Sequence, residues 1–161
     1  MKAVLTHDFE DATVEEIERP SPGEDEVLLE VNQLQLSVTE CWMYQGHLDI
    51  APSLQERMDD DGALAFGHEF CATVAELGDG VEEFEVGDRV YAPGKITCGE
   101  CVYCKNDWKT LCKNQETFGL GEYPGAAAEY FVAPTEPLAT VPDGVSDQEA
   151  AALQPLSDAL G

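Results

Sequence analysis

The chain has 161 residues, 43% of them hydrophobic, which is enough for one buried core but short for a protein that must hold both a dinucleotide and a substrate. Its 33 Asp and Glu against 8 Lys and Arg give a formal net charge of -25, and the lack of a basic footprint excludes nucleic acid as a partner. No run approaches membrane-spanning length, and Met1–Glu10 carries His7, Asp8 and Glu10 where a signal peptide needs apolar residues, so a cytoplasmic protein with no membrane partner is expected.

The first half reads as strands. Lys2–Thr6, Thr13–Glu18 and Glu26–Leu36 are rich in Val, Ile and Leu with partial alternation, and Pro20, Pro22 and Gly23 break the chain before the third. A polar, irregular stretch is expected over Leu48–Gly62. Strands follow at Phe70–Leu77 and Asp88–Tyr91, separated by turns at Gly78, Gly80 and Gly87, and again at Ala126–Ala133. Helix signals are few and late. Ser146 with Glu149 three residues on forms a capping box ahead of Ala150–Leu153, so a helix is predicted from about Asp147 until Pro155 disturbs it, with a second short helix from about Ser157. Short strands joined by glycine turns predict a mainly β fold with a few short helices, a partly open barrel rather than alternating βαβ units.

The acids are spread along the whole chain, so they belong on its surface. This reads as a halophilic adaptation, with an acidic interaction face as the competing explanation. Six cysteines in a reducing compartment point to metal ligands or buried thiols rather than disulfides.

The densest motif is Cys98-x2-Cys101-x2-Cys104-x7-Cys112. Four thiolates in one short lobe can close a tetrahedral shell around Zn²⁺, and a shell made wholly of protein ligands has no open position for substrate, so this site is expected to be structural. Four unrelated thiols and an iron–sulfur cluster are the competing readings, the latter fitting known cluster spacings imperfectly.

A second motif, Gly67-His68-Glu69, opens a predicted strand. A single His is a weak signal alone. Followed by Gly78, Gly80 and Val81, then Val86-Gly87-Asp88-Arg89-Val90, the four-cysteine lobe, Gly125–Tyr130 and Val141-Pro142-Asp143-Gly144, it gives an order that resembles the medium-chain, zinc-dependent alcohol dehydrogenase family over the whole chain. The resemblance implies a GroES-like barrel over residues 1–161. It also implies that His68 ligates a catalytic zinc, that Glu69 is a nearby carboxylate able to bind the metal, and that Thr39 relays the alcohol proton. A zinc with three protein ligands keeps one position for an alcohol oxygen and lowers its pKa, which helps hydride leave toward a nicotinamide ring.

Several positions depart from the family pattern. Ser37 stands where a cysteine ligand is usual, and a neutral hydroxyl binds zinc poorly; Cys41, about one helical turn on, is the candidate substitute. Trp42 occupies a position where some relatives carry a proton-relay His, and is expected to form a pocket wall. In the segment Leu153–Ala159, Gln154 matches the third-ligand position, as in some sugar dehydrogenases. Metal is therefore expected to be held less firmly by His68, Glu69, Gln154 and Ser37 than by the lobe.

No Gly-x-Gly-x-x-Gly follows a strand, so a Rossmann domain for NAD or NADP is expected to be absent from this chain. The expected function is the catalytic domain of a zinc-dependent NAD(P) oxidoreductase acting on a small alcohol, polyol or sugar, idle without its cofactor domain, with oligomeric state left open. A non-enzymatic zinc-binding fragment is the rival, favoured by Ser37 and by the missing cofactor domain. The charge excess makes one direct prediction. Repulsion among 33 carboxylates weakens as the Debye length shrinks to roughly 3 Å at molar salt, so the Tm should rise steeply from dilute buffer to molar KCl. A flat profile would contradict a salt-adapted surface.

Overall fold

A computed structural model describes residues 1–160. β1 (Lys2–Asp8) and β2 (Asp11–Glu16) form a two-stranded ribbon, and the other strands form a five-stranded sheet in the order β6-β3-β4-β5-β7. These are β3 (Glu26–Gln35), β4 (Glu69–Leu77), β5 (Arg89–Tyr91), β6 (Tyr130–Pro134) and β7 (Ala139–Thr140), with every pairing antiparallel. Single bridges from Ala3 to Ala128 and from Thr6 to Leu64 attach the ribbon to the rest without joining it to the sheet. The result is the mainly β, partly open barrel expected from the sequence.

The strand expected at Ala126–Ala133 is paired in the sheet only from Tyr130, because Ala126, Ala127 and Gly125 donate their N–H groups to the 65–67 segment instead. Helices begin earlier than expected. α1 (Val38–Tyr44) follows β3 directly, and the stretch expected to be irregular holds α2 (Ala51–Asp61). Its signals are Pro52 in the first turn, buried Leu54 and Met58 four residues apart, and Gly62 at φ +83° ending it. Their surroundings are so polar that the apolar stripe is narrow. The capping box at Ser146 and Glu149 starts α3 (Asp147–Ala151), as predicted. α4 then runs over Leu153–Leu160, and Pro155 does not interrupt it. In the first turn the backbone N–H groups lack intrahelical acceptors, so proline removes nothing there.

β4 is covered on both faces. On one, Phe70 meets Phe118 and Phe131 edge to face at centroid distances of 5.4 and 5.0 Å, within the main core around Val27, Leu29, Val74 and Val90. On the other, Cys71 packs with Val141, Ala150 and Ala151 under α3. Burial pushes the Cys71 thiol up to about 12, with the Asp147 carboxylate adding to the effect, so this cysteine is an inert packing group. Arg89 fixes α3 in place by donating to Asp147 at 2.6 Å and to the Val145 carbonyl at 2.8 Å. A third cluster, Met43, Leu54, Met58, Leu64 and Phe66, seats α1 and α2.

Truncation at the aromatic contact should therefore be costly. Phe70→Ala should lower unfolding free energy by about 3–5 kcal/mol, measured by denaturant unfolding in high salt. Val14→Ala, on the exposed ribbon, should change it by less than about 0.5 kcal/mol.

Candidate functional site

The end of β3, the start of β4 and the first turns of α1 and α4 meet at one place. Gln35 pairs with Glu69 in the β3–β4 ladder, so α1 begins beside the residue that precedes β4, His68. Gly67 makes this approach close. Its φ is +108°, and a Cβ there would come within 2.9 Å of Leu34 Cδ1.

Ser37 is the N-cap of α1. Its Oγ accepts the Thr39 N–H at 3.1 Å and donates to Glu40, whose Oε2 also accepts the Ser37 N–H at 2.9 Å. The other oxygen of Glu40 is bonded to Nδ1 of His68. Glu40 is 4% exposed, and a carboxylate buried this deeply survives as an anion only with such partners. Burial pushes its pKa up, but the bonds to His68 and Ser37 outweigh that and hold it below the ordinary carboxylate value. Burial likewise pushes His68 down, but Glu40, reinforced by Glu69 and Asp158, holds its pKa above the ordinary value. With Nδ1 engaged, Nε2 is the imidazole atom left for a metal or substrate.

Glu69 is buried and accepts from the Gln35 side-chain amide. Gln154, buried in the first turn of α4, donates from Nε2 to Asp158 at 2.9 Å, which leaves its carbonyl oxygen for a ligand. Asp158 in turn lines a cleft of about 560 Å³ with Lys95, Thr97, Lys109, Glu136 and Leu138, within the ~300–1,000 Å³ range of small-molecule sites. Cys41 is exposed, as is Trp42.

Glu40 and Asp158 were not among the residues expected from the sequence. Ser37-x-x-Glu40 is the same capping-box pattern as Ser146-x-x-Glu149 and would have marked the start of α1. The contact of Glu40 with a histidine 28 positions on has no sequence signal.

The cysteine lobe is built from tight turns. Lys105 N–H bonds to Cys101 O at 3.0 Å, Asp107 takes a left-handed φ of +61°, and a second short turn over Lys109–Leu111 delivers Cys112. The neck is closed by paired Ile96 and Glu116 backbones, and Glu136 clasps the base through Thr97 Oγ1 and Lys109 Nζ, both at 2.8 Å. All four Sγ atoms lie within 4.8 Å of one another, with three of their separations at 3.5, 3.5 and 4.0 Å. Tetrahedral bonds of about 2.3 Å place sulfurs about 3.8 Å apart, so the donor set fits Zn²⁺. Cys101 is lowered to about 6, chiefly by the Cys104 backbone N–H, and Cys98 is lowered by the Cys101 and Glu100 backbones, whereas desolvation and neighbouring thiols raise Cys104 to about 11. Among the described residues this is the single group of three or more His, Cys, Asp or Glu side chains whose donor atoms converge in this way.

Residues 23–143 match the alcohol dehydrogenase GroES-like domain. The chain belongs to the zinc-dependent, medium-chain alcohol dehydrogenase family. It is 35% identical over 146 residues to an L-threonine 3-dehydrogenase of Idiomarina loihiensis, an alignment that covers 90% of this chain and 40% of that protein. It is 34% identical over 161 residues to a sorbitol dehydrogenase of Halalkalibacterium halodurans, covering 98% and 43%. Among solved structures, an NAD-dependent alcohol dehydrogenase superposes with a TM-score of 0.81 at 30% identity, covering 94% of this chain and 43% of the other. An acetophenone reductase from Geotrichum candidum in complex with NAD gives 0.77 at 31%, covering 95% and 43%. The chain thus spans about two fifths of the length of these relatives.

In this alcohol dehydrogenase domain, Cys101→Ser should release zinc from the lobe and disorder mainly residues 98–112, leaving the five-stranded sheet folded. Metal analysis with amide exchange checks this. A full equivalent of zinc retained on the lobe would refute the assignment of these four ligands.

Proposed function

We propose that the chain is the catalytic domain of a zinc-dependent NAD(P) dehydrogenase for small polar alcohols, with the cysteine lobe as its structural zinc site and His68 at its reactive centre. The observation that carries this is the His68–Glu40 pair, an imidazole fixed through Nδ1 with Nε2 left for other use, and influenced by the charge of Asp158, which lines the cleft. A metal held by His68 Nε2 with Gln154 Oε1 and Glu69 would lower the pKa of an alcohol, and a nicotinamide on a further domain would take the hydride. The residues of this chain do the rest. Glu40 holds the imidazole in one orientation, and its charge offsets positive charge gathered at His68. The Thr39 hydroxyl, in the first turn of α1 next to the Ser37 cap, passes the alcohol proton toward solvent. The cleft is lined largely by apolar surface, with Lys95 and Asp158 in its wall as charged groups that can meet the hydroxyls of a small polar alcohol. The threonine and sorbitol dehydrogenases among the relatives support the same substrate class.

One observation favours the rival reading, a zinc-binding fragment without activity. The Ser37 hydroxyl is committed to the cap and to Glu40, so it is a helix-capping and Glu40-orienting group before it is a ligand. The two readings separate in a chimera carrying the cofactor domain of either named relative after α4, assayed with L-threonine, sorbitol and aldoses and with NAD and NADP. Activity should be present, be abolished by His68→Ala, and fall by about 10–100-fold in Glu40→Gln. Ser37→Cys should tighten zinc at this centre while leaving the lobe unchanged. A chimera with two bound zincs and no turnover on any of these substrates would establish the rival.

A further inference from the structure

The last residue of β3 and the first of β4 share one rung of the ladder. Gln35 and Glu69 are paired there, so their side chains stand on one face of the sheet with Cβ atoms about 4.5–5.5 Å apart. The Gln35 side-chain amide donates to Glu69 Oε2. Glu69 is 4% exposed, and this amide is the one side-chain donor that reaches its carboxylate among the described residues.

The corner between β3 and α1 thus grips both residues at the start of β4, Glu40 holding His68 and Gln35 holding Glu69. The two grips differ in kind. Glu40 leaves His68 Nε2 free, whereas Gln35 occupies an oxygen of a group that would itself be a ligand. Side chains alternate along β4, so Glu69 shares the face on which Cys71 packs with α3 and with Leu153, the residue before Gln154. Its carboxylate nevertheless does not converge with His68 and Glu40, since among the described residues the four cysteines are the single converged group of His, Cys, Asp or Glu donors.

We propose that Gln35 is a positioning residue for Glu69: its amide holds the carboxylate toward β3, and a carboxylate released from it joins His68 and Gln154 as a third metal ligand. This rests on the metal centre proposed at His68. The physical cause is competition for one buried anion. An amide N–H and a divalent cation each satisfy a carboxylate removed from water, and the anion is costly with neither. Removing the amide therefore destabilises the metal-free chain more than the metal-bound one, and by linkage the difference appears as tighter binding.

A cobalt(II) titration tests this on the chain with its lobe already filled with zinc. Equilibrium dialysis gives the affinity, visible absorption reports the coordination shell, and circular dichroism confirms each variant's fold. The wild-type chain should take up a second metal weakly, and His68→Ala should abolish that uptake. Gln35→Met keeps the length of the side chain without its donor, and should bind the second metal at least about tenfold more tightly, the scale on which outer partners tune a metal site. Gln35→Ala should do the same, and both should alter the cobalt spectrum as a carboxylate oxygen enters the shell. In a Glu69→Gln background, Gln35→Met should change neither affinity nor spectrum, a dependence that a merely structural role for Gln35 would not produce. A His68-dependent second cobalt with the same affinity and spectrum in all Gln35 variants would overturn the positioning role while leaving the metal centre in place. A tightening that survives Glu69→Gln would do so too. No His68-dependent metal in the wild-type chain or in either Gln35 variant would overturn the metal centre and this role together.

Discussion

Burial of β4 on both faces is the constraint that orders the rest of the molecule. Its alternate side chains point into separate clusters, Phe70 toward the aromatic core and Cys71 toward α3, so the strand cannot slip by one residue without exchanging the two sets. Pairing with β3 on one side and β5 on the other fixes its register. His68 and Glu69 stand where this strand begins, so a strand packed on both faces sets where the proposed reactive centre lies.

A second layer of control comes from one carboxylate. Glu40 completes the capping box of α1 through Ser37 and binds His68 with its other oxygen, so helix start and imidazole orientation are one event. Removing the charge would leave a buried donor without a partner and a helix without its reciprocal cap. α4 is fixed indirectly through the Arg89–Asp147 contact that holds α3, which carries Gln154 and Asp158 to the same place. The centre thus depends on contacts between elements far apart in the chain.

The cysteine lobe obeys a different rule. Backbone turns and N–H groups directed at sulfur bring its donors together, with little apolar packing to assist. Glu136 ties it to the loop ahead of β7, and that clasp forms one wall of the cleft. The cysteine lobe and the cleft are consequently neighbours in space, joined through Thr97 and Lys109.

The local features were legible in the sequence because they depend on short spacings. The cysteine pattern, the capping box at Ser146, most of the strands and the character of Gly67-His68-Glu69 all rest on residues within a few positions of one another. α2 was hidden because its two buried positions, Leu54 and Met58, sit among acids, so the apolar stripe is too narrow to outweigh the polar composition around it. Pro155 was read as a breaker, although in a first turn it is compatible with the helix. The sequence by itself determined the thiolate set, the mainly β character, the family and the acidic surface. Only the tertiary structure decided that Glu40 orients His68 and that Asp158, bonded to Gln154, shares a cleft with Lys95 and Glu136. Such pairings are selected by burial and by the need to satisfy buried charge, and neither acts until distant segments pack together.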